Sequence, residues 1–272
     1  MPTTTDRVRQ IVVTLSAAFM IVGTLFGIGV IGTRVEESSG GSLSATATLV
    51  APAVRAFSIW SVIYAGLIAY VVWQWLPANA ASGRARSIGW LAAASMVLNA
   101  VWLLVTQVGW LWVSVLVIAA LVVVLGLLVQ RLQTIPGRSD PGWGEQLVVD
   151  GTFGLYLGWV SVATVANITA TLVASGVDPG GLVSELLAAA VLAVAAAIGV
   201  LLAARLGGRI AVAAAMAWGL AWIAVGRLTD QPYSPLTGAV AAAAAVVVLG
   251  AAVVRRARPR QIGRPVTVRV SH

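Results

Sequence analysis

Residues 110–132 read WLWVSVLVIAALVVVLGLLVQRL, and no charged side chain interrupts the run between Trp110 and Gln130. At about 1.5 Å of rise per residue, a helix of this length crosses the roughly 30 Å hydrocarbon layer of a bilayer. In water such a helix would have to be hidden on every side. Lipid solvates it without a polar coat, provided that its backbone groups are bonded within the helix.

Outward from this segment, runs of comparable length recur between polar breaks. They fall at residues 9–32, 57–77, 88–108, 110–132, 147–174, 182–204, 209–227 and 236–254. The breaks are Pro77, Gly83 to Ser87, Pro136 to Gly144, Asp178 to Gly181, Gly207 to Gly208 and Pro232 to Pro235, all rich in turn formers. The fold predicted is an all-α, polytopic membrane helix bundle of about eight transmembrane helices. Composition agrees, because the 272 residues are 60% hydrophobic and only 10% charged, against about a quarter charged in soluble domains.

All 17 basic residues are arginine, and their placement tests the helix count independently of hydropathy. With the N-terminus inside, cytoplasmic segments hold Arg7, Arg9, Arg84, Arg86, Arg131, Arg138, Arg205, Arg209 and the six tail arginines from Arg255 to Arg269. Arg34, Arg55 and Arg227 fall on the other side. Dropping one helix would invert every later loop, so the positive-inside bias supports eight helices with both termini cytoplasmic, in the cell membrane. Arginines spread over connectors and a tail encode orientation; they do not form a nucleic-acid face. The first apolar run is too long for a signal-peptide core, and Ala45-Thr46-Ala47 lies too far downstream for a cleavage site, so the run is read as an uncleaved first helix. The basic tail is read as a stop-transfer and orientation signal next to the lipid headgroups.

Chemistry-bearing residues are few. There is no Cys, and the single His is His272 at the terminus, so no catalytic set, no metal site and no cofactor are assigned. Asp150 and Glu185 lie near helix ends, leaving no carboxylate at membrane depth of the kind that ion-coupled transport uses. Trp73, Trp75, Trp90, Trp110, Trp112 and Trp143 fall near helix ends, as in interfacial belts.

Three other patches place aromatics and amides within helices. In the second helix, Trp60 and Tyr64 are four apart and share a face. In the third, Asn99 precedes Trp102 by three. In the fifth, Tyr156, Trp159, Ala163 and Asn167 form one stripe, with room above Ala163 for a flat apolar ligand. Asn99 and Asn167 are costly in hydrocarbon unless paired and should face the bundle interior. Small and amide residues also serve plain helix packing, and spacing alone leaves both readings open. The connector between the first two helices, about residues 33–56, is long and rich in Ser, Gly, Thr and Ala. Its Leu49-Val50-Ala51-Pro52 patch suits a loop folded over the bundle, with a slack linker as the alternative.

In order, these patches resemble the TspO/MBR family of tryptophan-rich sensory and translocator proteins. Ser58-Ile59-Trp60-Ser61-Val62-Ile63-Tyr64 resembles its P-V-W-T-x-L-Y element, and Leu98-Asn99-Ala100-Val101-Trp102 its L-N-x-x-W element. Tyr156-Leu157-Gly158-Trp159 through Ala163-Thr164-Val165-Ala166-Asn167 resembles Y-L-x-W-x-x-x-A-T-x-x-N. The resemblance implies a five-helix unit enclosing an apolar pocket for tetrapyrroles, sterol-like or isoprenoid lipids, lined or supported by Trp60, Tyr64, Asn99, Trp102, Tyr156, Trp159, Ala163 and Asn167. The chain departs from the family pattern before helix 2, where Ser58 replaces a Pro and only Pro52 is nearby, and it lacks the sterol-type motif after helix 5, since Ile168-Thr169-Ala170-Thr171 stands there.

The chain thus divides into a TspO-like membrane domain at 1–175, three additional transmembrane helices over 176–254, and a basic cytoplasmic tail at 255–272. The added helices, rich in Ala and Val, should pack closely on the core or on a second copy in a homodimer; a second pocket around Trp218 and Trp222 is the lesser alternative. The function expected is binding of a flat hydrophobic ligand, porphyrin or other tetrapyrrole or isoprenoid lipid, in a transmembrane pocket. Its partners are that small molecule and membrane lipids, with no nucleic acid. A binding protein is favoured over an enzyme, with light-dependent tetrapyrrole breakdown and small-molecule transport as the alternatives.

Overall fold

The computed structural model describes residues 2–135 and 143–258. The remaining positions, including Arg138, Pro136 and the tail from Pro259 with Arg260, Arg264, Arg269 and His272, lie outside the described residues. Among the described residues, eight helices are long and apolar enough to cross a membrane: α1 (Thr4–Gly27), α2 (Ile59–Trp75, a span of Val54–Trp75 with the 3₁₀ turn before it), α3 (Gly83–Gln107), α4 (Leu111–Thr134), α5 (Trp143–Ala174), α6 (Gly181–Arg205), α7 (Ile210–Thr229) and α8 (Pro235–Ala257). No strand occurs among the described residues.

Two helices begin five residues before the sequence expectation, for one physical reason. Hydropathy ignores caps. α1 begins five residues early because Thr3 and Asp6 form a capping box, in which the Thr3 hydroxyl accepts from the Asp6 N–H at 3.3 Å and the Asp6 carboxylate accepts from the Thr3 N–H at 3.0 Å. It also ends early, at Gly27, where Gly29 takes a left-handed φ of 74° and turns the chain into the loop. In α3, the Ser82 hydroxyl accepts from the Ala85 N–H at 3.1 Å, so Gly83 to Ser87, expected as a break, forms the first turns of the helix.

α1 lies along α3, α3 along α4, and α4 along α5. α5 is central, touching α2 on one side and α7 on another, and α8 joins α7 to α6. The α5–α7 seam rests on small residues: a Cβ on Gly158 would strike the Val212 carbonyl and lie 2.9 Å from the Ala215 Cβ, and one on Gly154 would lie 2.8 Å from the Ala211 Cβ. Without a hydrophobic force between helices in lipid, such close backbone approach supplies the packing energy. Helices α6 to α8 therefore dock, through α7, on the first five helices of the same chain.

Charged groups gather at one end of the bundle. Asp6 receives Arg9 at 2.9 Å and a bidentate Arg86 at 2.9 and 2.7 Å. A single π-turn over Gln146–Gly151 opens α5; its i→i+5 repeat brings residues five apart towards one face. Glu145 and Asp150 both meet Arg84, at 3.1 and 2.7 Å, and Asp150 also takes Arg209 at 2.6 Å. Arginines from the starts of α3 and α7 are thus tied to the start of α5.

The tryptophan expectation needs one correction. Trp75, Trp90, Trp110, Trp112 and Trp143 are exposed, as in interfacial belts, whereas Trp73 is buried. The chain folds back after α2 so that the Asn79 amide donates to the Trp73 carbonyl at 3.0 Å, and Tyr70 stacks on the Trp73 ring at 5.8 Å.

Candidate ligand pocket

At the end away from the charge cluster, the α1–α2 connector folds back over the bundle as turns and short 3₁₀ segments, the last of them over Val54–Ser58. Val50 and Ala51 are buried, as expected for a covering loop. The Ser39 hydroxyl donates to the Thr106 carbonyl of α3 at 2.9 Å and pins the near side.

Beneath and beside this loop lie two adjoining cavities. The larger, about 520 Å³, is walled by Thr24 and Gly27 of α1, Trp60, Ser61 and Tyr64 of α2, and Trp102 and Leu103 of α3, with Arg34, Glu36 and Leu43 from the loop. The smaller, about 60 Å³, lies under Ser42, Thr48 and Pro52 and is floored by Trp159, Ala163 and Asn167 of α5. Phe57 and Trp102 line both.

Six of the eight expected site residues line these cavities: Trp60 and Tyr64 the larger, Trp159, Ala163 and Asn167 the smaller, Trp102 both. Asn99 and Tyr156 stand behind them. The Asn99 amide donates to the Tyr64 hydroxyl at 3.1 Å and sets that ring. Tyr156 is fully buried, its hydroxyl donates to the Ser95 carbonyl at 3.2 Å, and its ring meets Trp60 edge-on at 5.8 Å. Trp60 stacks on Tyr64 at 5.1 Å and meets Trp159 edge-on at 6.2 Å, while Phe57 meets Trp159 at 5.6 Å. The Asn167 amide donates to Ser114 of α4 at 3.0 Å, which satisfies the interior pairing that an amide in hydrocarbon requires.

The pocket chemistry is apolar and aromatic with a few directed polar groups. Among the described residues, the indole N–H groups of Trp102 and Trp159 are buried without a hydrogen-bond partner, and a buried indole N–H ordinarily finds one. Both belong to rings that line the cavities. Charge is confined to the rim, where Arg34 and Glu36 pair at 3.7 Å and stay partly exposed.

Residue-by-residue reading of the sequence missed Phe57 and the loop residues that roof the site. Phe57 was within reach, being one helical step before Trp60. It also missed Arg227, which is buried in the last turn of α7 and had been counted only as a charge on the outer side. A signal existed: Arg227 is one of the three arginines on the wrong side of the charge count.

Fold and site together define a polytopic helical membrane protein with an aromatic pocket under an interhelical loop. The chain matches the family model of TSPO-like proteins over residues 10–254, and it belongs to that family. The match extends through α6, α7 and α8, beyond the three sequence patches. No curated protein and no solved structure matches the chain.

Proposed function

We propose that this TSPO-like protein is a membrane receptor or carrier for a flat hydrophobic molecule, a tetrapyrrole first and an isoprenoid lipid second. The observation that carries this reading is the 520 Å³ cavity walled by the stacked Trp60 and Tyr64 rings and by Trp102. Its volume is that of ordinary small-molecule sites, and its lining follows their pattern of apolar walls with few convergent polar groups. Ring stacking supplies affinity, and the free indole N–H groups of Trp102 and Trp159 orient a carbonyl or carboxylate on the ligand. The gathered arginines at the opposite end favour that end, with both termini, on the cytoplasmic side of the cell membrane.

The test is titration of the detergent-purified protein with protoporphyrin IX, followed by Soret shift and tryptophan quenching. Trp60→Phe and Trp159→Phe are each expected to raise Kd about two- to tenfold, the scale of one aromatic pair. Absence of binding by the unaltered chain, or binding indifferent to both substitutions, would overturn the reading.

A further inference from the structure

One face of α7 is joined to the pocket's roof at three successive levels. The Trp218 indole N–H donates to the Ala56 carbonyl at 2.9 Å. The Ala53 N–H donates to the Trp222 carbonyl at 3.2 Å. At Gly226 an added Cβ would lie 3.5 Å from Ala53, so helix and loop touch there as well. Residues 218, 222 and 226 are spaced by four and share a face, along which the end of the α1–α2 connector lies.

Arg227 completes the junction. It is 1% exposed, and its guanidinium donates only to main-chain carbonyls: Thr48 at 3.2 Å and Ala45 at 3.1 Å from the roof, Pro232 at 3.0 Å and Gln231 at 3.4 Å from the α7–α8 turn. A buried charge is expensive unless hydrogen-bonded, and Arg has a fork of donors able to join several acceptors at once. Among the described residues, they join two loops to one helix and no side chain shares them. Thr48 itself lines the smaller cavity, so the bond acts on the wall of the pocket.

We propose that Arg227 is a positioning residue for ligand binding: with Trp218, it fastens the roof segment of residues 45–56 to α7. The helices outside the pocket-forming set thereby govern how fast a ligand enters and leaves. This rests on the ligand-pocket reading for its consequence, though the fastening itself can be measured without a ligand. Loss of the fastening frees the roof while leaving the aromatic walls of α2, α3 and α5 in place.

The chain contains no cysteine, so Ser44→Cys, next to the roof segment, provides a unique reporter in the full-length protein. Its labelling by a water-soluble maleimide is expected to quicken at least about tenfold when Arg227→Met is added, and about two- to tenfold with Trp218→Phe, which removes one hydrogen bond and keeps the ring. Trp218→Phe also serves where Arg227→Met fails to fold. Stopped-flow release of protoporphyrin IX should accelerate in parallel, and Arg227→Lys, with fewer donors, should restore only part of the slow rate. Unchanged labelling in the folded variants overturns the fastening. Faster labelling with unchanged porphyrin release overturns its control of exchange. If the unaltered chain binds no porphyrin, the ligand reading fails, and the labelling rates alone decide for or against the fastening.

Discussion

Gly158→Leu is expected to prevent recovery of folded protein. At this position a side chain meets main chain: the first carbon beyond Cα would collide with the Val212 carbonyl of α7, and the Ala215 Cβ already lies 2.9 Å from that point. A flexible neighbour could move aside, but a helix backbone cannot without shifting the whole of α7. Overpacking a dense interior costs about 1–3 kcal/mol where side chains can adjust, and the cost here should exceed about 3 kcal/mol. Gly126→Leu on α4 is the control, since nothing lies within 4 Å of a Cβ there, and its helix should if anything gain from the substitution. Size-exclusion profiles and yields of the two variants decide the matter. Equal recovery would mean that the α5–α7 seam contributes nothing essential.

Asp150→Ala should be the second most damaging change. The carboxylate holds Arg84 at 2.7 Å and Arg209 at 2.6 Å, and these have side-chain exposures of 8% and 18%. Arg84 keeps Glu145 at 3.1 Å, whereas Arg209 loses the one carboxylate it touches among the described residues. Removing one member of a fully buried pair costs about 3–5 kcal/mol. Asp150 keeps 22% of its own exposure, so the expected loss is about 2–3 kcal/mol, or roughly 4–12 °C in Tm for a protein of this size. Asp150→Asn, which retains acceptor geometry without the charge, should fall between. A thermal shift below 1 °C for Asp150→Ala would remove the cluster from the account of stability.

Much of the fold was legible, because crossing a bilayer imposes a length and a lack of charge that eight segments meet visibly. What was hidden followed from what hydropathy cannot see. Thr3 and Asp6 carry a capping pattern, yet Asp6 reads as a polar break unless its bond to the Thr3 N–H is anticipated. Trp73 lies at a helix end, like its exposed counterparts, yet its ring stacks on Tyr70 within the core. Neighbour relations were also hidden, because a helix that meets lipid on one side and helices on the other is apolar all round and advertises no inner face.

The pocket was legible where amides and aromatics recur at helical spacing. Asn99, Tyr64, Trp102 and Trp159 could be grouped before any contact was known. The roof was not, because Ser, Gly and Ala in a connector carry no periodicity, and their position depends on groups far along the chain such as Arg227 and Trp218. The role of the last three helices was hidden for the same reason.

Phe57 and Trp102 stand as a partition, each contributing to the walls of both cavities. Val35 and Leu43 also border both cavities, so the partition is made of side chains, and χ1 rotations could open it without movement of any helix. On the proposed ligand-pocket reading, the size of guest admitted would then depend on which rotamers these side chains occupy, and molecules of unlike outline could be received by one rigid scaffold.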